Sequence, residues 1–275
     1  MSAYSSTYSY EEDIYVSYQK APFLREVTLS DEYADYTVRV IDDENATLMK
    51  LIPKRETIET LTLPDIADGV PITALGEWAC FDLPATIGRV ILPDSVRIIG
   101  HHAFSMSKIA AFSFGKGLMT LSWGAFSKNP ILTCITLPNT VKTIDPEAFA
   151  KCSALREVTL PEELPCLAED TFLGCSALTQ VHLPKSLVRL AEGVFSDCTA
   201  LSSLTLPEGL RAIDHYVFTR CRALTALTLP NSIQEVEKYA FYGCRTLTVT
   251  LTEESAARLH AYDPDWSRDI QIKTL

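Results

Sequence analysis

The chain has 275 residues, 47% of them hydrophobic, with 24 Lys and Arg against 35 Asp and Glu, a formal net charge of −11. That balance opposes the phosphate neutralisation on which nucleic-acid affinity depends and is repelled by anionic lipid, so nucleic acid is not expected as a partner. No apolar run reaches the roughly 18 residues that a membrane-spanning helix needs, so membrane insertion is not expected either.

In chain order, residues 1–20 come first, rich in Ser and Tyr (Tyr4, Tyr8, Tyr10, Tyr15, Tyr18), and are expected as a disordered leader or a partner-binding tail. They show no basic n-region and no apolar h-region, so the expected location is cytoplasmic. Residues 21–60 are expected to form an N-terminal cap. Within it, Tyr36 to Ile41 and Thr47 to Leu51 alternate in polarity around Asp42-Asp-Glu-Asn45, the pattern of a β-hairpin.

Repetition organises the rest of the chain. Leu137-Pro138, Leu160-Pro161, Leu183-Pro184, Leu206-Pro207 and Leu229-Pro230 recur every 23 residues, in phase with Phe149, Phe172, Phe195, Phe218 and Phe241. Each Phe is followed three residues later by Cys152, Cys175, Cys198, Cys221 or Cys244, and Asn129 holds that column one repeat earlier. Upstream the comb has defects: Leu92-Pro93, Phe104 and Phe126 persist at spacings near 22, and Leu63-Pro64 opens an irregular unit of 29 residues. Within one unit, Val158 and Leu160 alternate as in a strand, whereas Leu164, Leu167 and Thr171-Phe172 fall three to four residues apart. The unit therefore reads as strand, turn, short helical or 3₁₀ piece, turn. Pro161 and its equivalents lack an N–H and end the strand at the same place in every unit.

One such unit cannot bury its own apolar face, but stacked units can. Residues 61–251 are thus expected as an array of about eight repeats of about 23 residues, with a parallel sheet about 40 Å long. Residues 252–275 form the C-terminal cap: Thr252 is placed to cap a helix with an acidic first turn, Asp263-Pro264 ends it, and Ile270-Gln-Ile272 reads as a strand.

The unit L-x-x-[LIV]-x-L-P-x-x-[LIV]-x-x-[ILV]-x-x-x-[AVT]-F-x-x-C resembles the BspA-like, or Treponema-type, class of bacterial leucine-rich repeats over roughly residues 60 to 251. It departs from the commoner leucine-rich pattern: Thr140, Glu163, Ser186, Gly209 and Ser232 stand where that pattern wants Asn or Cys. The resemblance implies an α/β leucine-rich-repeat solenoid, a horseshoe with a parallel sheet on its concave face and short helical or 3₁₀ turns on its convex face. An N-terminal hairpin cap and a C-terminal helical cap complete it. Better-understood members are surface or secreted proteins that adhere to host material, which implies a location at the cell surface or outside as the alternative.

Chemistry-bearing residues are sparse. No nucleotide-binding glycine motif, nucleophile elbow or H-E-x-x-H is present, so no catalytic residues and no enzyme are expected. His101, His102, His182, His215 and His260 are mostly far apart and no C-x-x-C occurs, so neither a metal nor another cofactor is expected. The five comb cysteines read as small buried packing residues, with Cys80, Cys134 and Cys166 off the column, and no disulfides are expected.

Two surfaces stand out. Between the buried strand positions lie Thr62, Ile91, Ser113, Thr136, Thr159, His182, Thr205, Thr228 and Thr250, flanked by Glu157, Gln180, Ser203 and Ala226. This stripe is either a solvated sheet face, where β-branched Thr is favoured, or a hydrogen-bonding surface for a protein or glycan with His182 at its centre. Tyr216 and Tyr239 share a column, with Tyr242 beside them, and Trp123 lies near the repeat carrying His101-His102. The tyrosines either shield the core beside the C-terminal cap or anchor an interface. The overall expectation is a monomeric, non-catalytic binding protein that presents a rigid concave surface to a protein or glycan, with an intracellular scaffold or regulator as the alternative and an enzyme as a remote one.

Overall fold

The computed structural model describes residues 22–275, so the Tyr- and Ser-rich segment 1–20 lies outside the described residues. Each repeat forms one coil of a solenoid with three walls. The first wall is a parallel sheet: Thr57–Thr62 pairs with Thr86–Ile91, then Phe112–Ser113; Cys134–Thr136, Glu157–Thr159 and Gln180–His182 make a second block; Ala226–Thr228, Thr248–Leu251 and Gln271–Thr274 make a third. Most of these are the alternating segments of the comb and end just before a Leu-Pro, whereas Phe112–Ser113 ends before Phe114-Gly115 and the last two, Thr248–Leu251 and Gln271–Thr274, meet none.

The part expected as a short helical or 3₁₀ piece divides in two. Its beginning is a second parallel sheet, in which Ile98–Ile99, Thr120–Leu121 and Thr143–Ile144 follow one another, as do Cys166–Leu167, Arg189–Leu190, Ala212–Ile213 and Glu235–Val236. Between these two runs the ladder is broken by sequence. Lys142 N–H reaches Met119 O at 2.8 Å and Val188 N–H reaches Pro165 O at 2.9 Å, but Pro165 itself has no N–H to offer.

The remainder is a wall of turns. Ala150 N–H bonds to Glu147 O (2.9 Å) and Cys152 N–H to Phe149 O (3.2 Å), the i→i+3 pattern expected. Glu147, Phe149 and Lys151, however, donate to Glu169, Thr171 and Leu173 of the next coil at 3.0, 3.0 and 2.6 Å. Alternate N–H groups therefore point along the solenoid axis, and no continuous helix can form. The turns require left-handed residues four apart in each coil, such as Glu147 (φ 57°) with Lys151 (φ 61°) and Gly193 (φ 66°) with Asp197 (φ 60°). The three-residue apolar spacing arises because each wall sends its own residue inward, and spacing alone does not separate that from a helical turn.

The core runs the length of the array. Phe104, Phe126, Phe149, Phe172, Phe195, Phe218 and Phe241 are buried, and successive rings stack at 5.3–5.7 Å with planes within 13° of parallel. Each ring contributes about 1.5–3 kcal/mol of hydrophobic stabilisation and fixes coil register through its neighbours.

Both ends are closed. Ala34–Val40 and Ala46–Pro53 form the hairpin around Asp42-Asp-Glu-Asn45, joined by an outer strand, Arg25–Ser30, that the sequence pattern did not suggest. Ala46–Leu48 continues into the second sheet by pairing with Val70–Leu75. The longer unit after Leu63-Pro64 accommodates a small hairpin, Ile66–Ala67 with Val70–Pro71, turning through Asp68 (φ 50°) and Gly69 (φ 81°). At the other end, α1 (Glu253–Tyr262) is capped by Thr252, whose Oγ1 accepts from Ser255 N–H at 3.3 Å. Leu259 and Trp266 are buried over the last coil, and Gln271–Thr274 adds the final strand.

Candidate binding face

The first sheet collects most of the predicted stripe. Thr136, Thr159 and His182 are register partners in one column, and Cys134, Glu157 and Gln180 in the next, all outside the buried line of Ile135, Val158 and Val181. Thr228 faces Thr250 in the third block. Cys134 therefore belongs to the exposed stripe, although its distance from the cysteine comb had set it aside.

Ser203 and Thr205 sit differently. Among the described residues, residues 202–206 make no main-chain hydrogen bond to either flanking coil, and no strand forms there. Leu204, at the position of buried Val181 and Leu227, is only half-buried. Ser202-Ser203 offers the pleated face no branched or aromatic side chain, and serine hydroxyls compete for local backbone groups. The second sheet and the phenylalanine ladder remain continuous beneath, so the coil stays in place while its outer strand comes loose.

Two openings flank this segment. One, about 610 Å³, is lined by Gln180, His182, Lys185, Ser203, Thr205 and Glu208, among others. The other, about 320 Å³, lies between Ser203–Leu206 and Ala226–Thr228. The structure thus brings His182, Gln180, Ser203, Thr205 and Thr228 around one gap, while Thr136, Thr159 and Glu157 lie on the intact sheet beside it. The Ser-Ser pair at 202–203 was the available signal for this gap.

The tyrosines lie on the turn wall. Tyr216 and Tyr239 stack at 5.7 Å with planes 4° apart, and Tyr242 meets Tyr239 edge-on at 6.2 Å. Their exposures of 40%, 50% and 51% do not fit a role as a core shield beside the cap. On the same wall, His102 stacks on Trp78 at 4.4 Å. Burial, then the neighbouring His102, pushes His101 down to about 3, so it is neutral at ordinary pH.

The comb cysteines do more than fill space. Cys152, Cys175, Cys198, Cys221 and Cys244 each donate through Sγ to a phenylalanine carbonyl one coil upstream, at 2.9–3.2 Å. Burial drives their thiols up, Cys152 to about 12 and Cys244 to about 11, which removes thiolate reactivity. All eight cysteines are free. Among the described residues no three His, Cys, Asp or Glu side chains converge as a metal site, and no helix is long and apolar enough to cross a membrane.

A model of the BspA type leucine-rich repeat region matches residues 77–200 and 144–262, with six copies of the repeat. The chain belongs to the BspA-type leucine-rich repeat family. Among solved structures, this BspA-type protein is similar to the leucine-rich repeat protein of Treponema pallidum, at 29% identity and a TM-score of 0.62, covering 71% of this chain and 90% of that one. It also matches a leucine-rich repeat protein from Eubacterium ventriosum (18% identity, TM-score 0.47, 80% of this chain and 95% of that one). The pneumococcal vaccine antigen PcpA matches at 16% identity and a TM-score of 0.46, covering 82% of each chain. Comparison with curated proteins gives no match. The repeats matched by the family model include the gap at Ser203–Thr205 and the tyrosine cluster.

Proposed function

We propose that this BspA-type protein is a non-catalytic binding protein whose first sheet receives an extended segment of a protein partner, centred on the gap beside His182. The opened ladder at residues 202–206 carries this reading, because its main-chain N–H and C=O groups are unpaired by the neighbouring coils and flanked by two openings. An extended peptide supplies complementary main-chain groups, as in strand addition, and His182, Lys185 and Glu208 offer polar contacts that orient it. The Thr136, Thr159 and Glu157 columns extend the contact over rigid sheet.

The test is selection of peptides from a random display library on the full chain, followed by affinity measurement against Thr205→Trp, which fills the gap, and His182→Ala. Selected peptides should lose at least tenfold in affinity for both variants while the melting temperature is held. Peptides that bind both variants as tightly as the parent would remove the proposal.

A second reading, an intracellular scaffold, is favoured by the exposed free thiols of Cys134 and Cys166, since exposed thiols persist in reducing compartments. Protease treatment of intact source cells, with a cytoplasmic control protein, separates the two locations. Selective loss places the chain outside, and protection until lysis supports the scaffold.

A further inference from the structure

A cavity of about 680 Å³ opens at the C-terminal end of the turn wall, lined by Arg220, Arg222, Arg245, Tyr242, Gly243, Thr246 and Asp269. Three guanidinium groups against two carboxylates, Asp269 in the lining and Asp197 on Arg220, leave a local positive excess in a chain of net charge −11. Arg220 is already engaged, donating through Nε to Asp197 Oδ1 at 2.6 Å with a second bond from its Nη2. Arg222 and Arg245 have no ion-pair partner among the described residues. Each directly follows a comb cysteine, Cys221 or Cys244, so they occupy equivalent places in adjacent coils and their backbones lie about 5 Å apart. Both guanidinium groups line the one cavity, so their like charges repel, and an anion seated between them relieves the repulsion.

Beside these arginines stand the half-exposed rings of Tyr242, Tyr239 and Tyr216. Tyr216 and Tyr239 occupy left-handed positions, at φ 60° and 62°, in a column that holds Trp78, His102, Gly124, Glu147, Asp170 and Gly193 in other coils. The column accepts bulky side chains, and here it sets two tyrosine rings side by side on the surface, 5.7 Å apart. The wall's carbonyls are spent on coil-to-coil and turn bonds, Phe218 N–H to Ala240 O (2.7 Å), Arg220 N–H to Tyr242 O (2.7 Å) and Tyr242 N–H to Tyr239 O (3.0 Å), whereas the N–H groups of Tyr239, Phe241 and Gly243 have no further coil among the described residues to donate to. A ligand here meets guanidinium groups, phenol rings and N–H donors of the last coil, while the carbonyls of Ala240 and Tyr242 point back to the previous coil. An extended peptide needs donors and acceptors in alternation, so this donor-only edge disfavours it and favours an acidic sugar. Guanidinium groups take carboxylate or sulfate oxygens in paired hydrogen bonds, and tyrosine presents an apolar body with a polar tip to a sugar ring.

We propose that this corner is a second binding site, independent of the gap beside His182, for an acidic oligosaccharide carrying sulfate or carboxylate groups. Arg222 and Arg245 hold the acidic group, and Tyr242, continued by Tyr239, supports the adjoining sugar.

Isothermal titration of the full chain with a heparin hexasaccharide at about 0.15 M salt, where longer-range attraction is screened, tests this directly. Maltohexaose serves as the neutral comparator and poly-glutamate as the acidic peptide comparator. The sulfated sugar should bind, maltohexaose should not, and poly-glutamate should bind at least tenfold more weakly. Arg222→Ala with Arg245→Ala should weaken the sugar at least tenfold, Tyr242→Ala should weaken it severalfold, and Thr205→Trp should change nothing. Melting temperatures of the variants check folding, and Arg222→Lys with Arg245→Lys provides a second variant that keeps charge while losing the paired hydrogen bonds. Absent binding of the sulfated sugar, equal binding of poly-glutamate, or affinity unchanged by the arginine and tyrosine substitutions would each overturn the site.

Discussion

The thiol of Cys198 donates to the main-chain carbonyl of Phe172, one coil upstream, at 3.2 Å. The same bond recurs along the whole column with other donors: Ser107 Oγ reaches Cys80 O at 2.6 Å, and Asn129 Nδ2 reaches Phe104 O at 2.8 Å. A column that accepts Ser, Asn and Cys selects a short donor as well as a small volume. Cys198→Ala should therefore cost about 1–2 kcal/mol, from lost contacts and a lost weak bond, and Cys198→Ser should cost less because its hydroxyl retains the donor. Urea midpoints measure both. Alanine being tolerated better than serine would mean that volume alone governs the position.

Thiol chemistry offers an independent count. Cys134 and Cys166 are exposed, whereas the other six cysteines are buried, with the Cys152 thiol pushed up to about 12 by burial. Maleimide at neutral pH should label the native protein rapidly at Cys134 and Cys166 alone, and the remaining thiols only after denaturation. Mass spectrometry of the labelled chain gives the answer, and fast labelling of Cys175 or Cys198 would contradict the buried ladder.

The contrast between wall and core is tested by two truncations. Phe195→Ala removes a ring stacked at 5.7 Å on both Phe172 and Phe218 and should destabilise the array by about 3 to 5 kcal/mol. Thr205→Ala, on the loosened strand, should stay within about 0.5 kcal/mol of the parent. Matching melting temperatures for the two would contradict the inward and outward assignments.

Asp170 gives the stability a pH dependence of definite sign. Burial first, then the nearby Glu169, Glu147 and Glu192, push its carboxyl from 3.8 up to about 6. Because the fold favours the protonated form, the group's stabilising contribution is complete below pH 3.8 and is lost as pH rises through 6. Asp170→Asn should be more stable than the parent above pH 6, by about 1 kcal/mol once solvent screening of this half-exposed group is allowed for, and equal to it near pH 4. Melting curves at both pH values check this, and a gain confined to acid would reverse the sign.

Gly193 constrains the same spot sterically. A Cβ there, besides adopting φ 66°, would press into the Asp170 carboxylate. Gly193→Ala should cost about 1–3 kcal/mol, and pairing it with Asp170→Gly should recover part of that loss. Additive losses in the double variant would show that backbone strain alone is responsible.

The sequence by itself determined the solenoid, its register, and the hairpin and helix near its two ends. A 23-residue period with Leu, Pro, Phe and Cys at fixed phases has only one economical burial, because each unit's apolar face needs its neighbours. It also marked His182, Thr205 and the tyrosines, since exposed positions in a repeat can be read by phase. Tertiary structure alone decided three things. The segment through Leu164 and Leu167 became a sheet followed by turns, because alternate N–H groups bond along the axis to the next coil, and an apolar spacing does not record bond direction. The cysteine column became a hydrogen-bond ladder, because its acceptors lie 26 residues away in sequence and meet it only when coils stack. The outer strand at residues 202–206 came loose: Ser202-Ser203 weakened it, but pairing depends on both flanking coils at once, so the pair by itself did not decide the outcome.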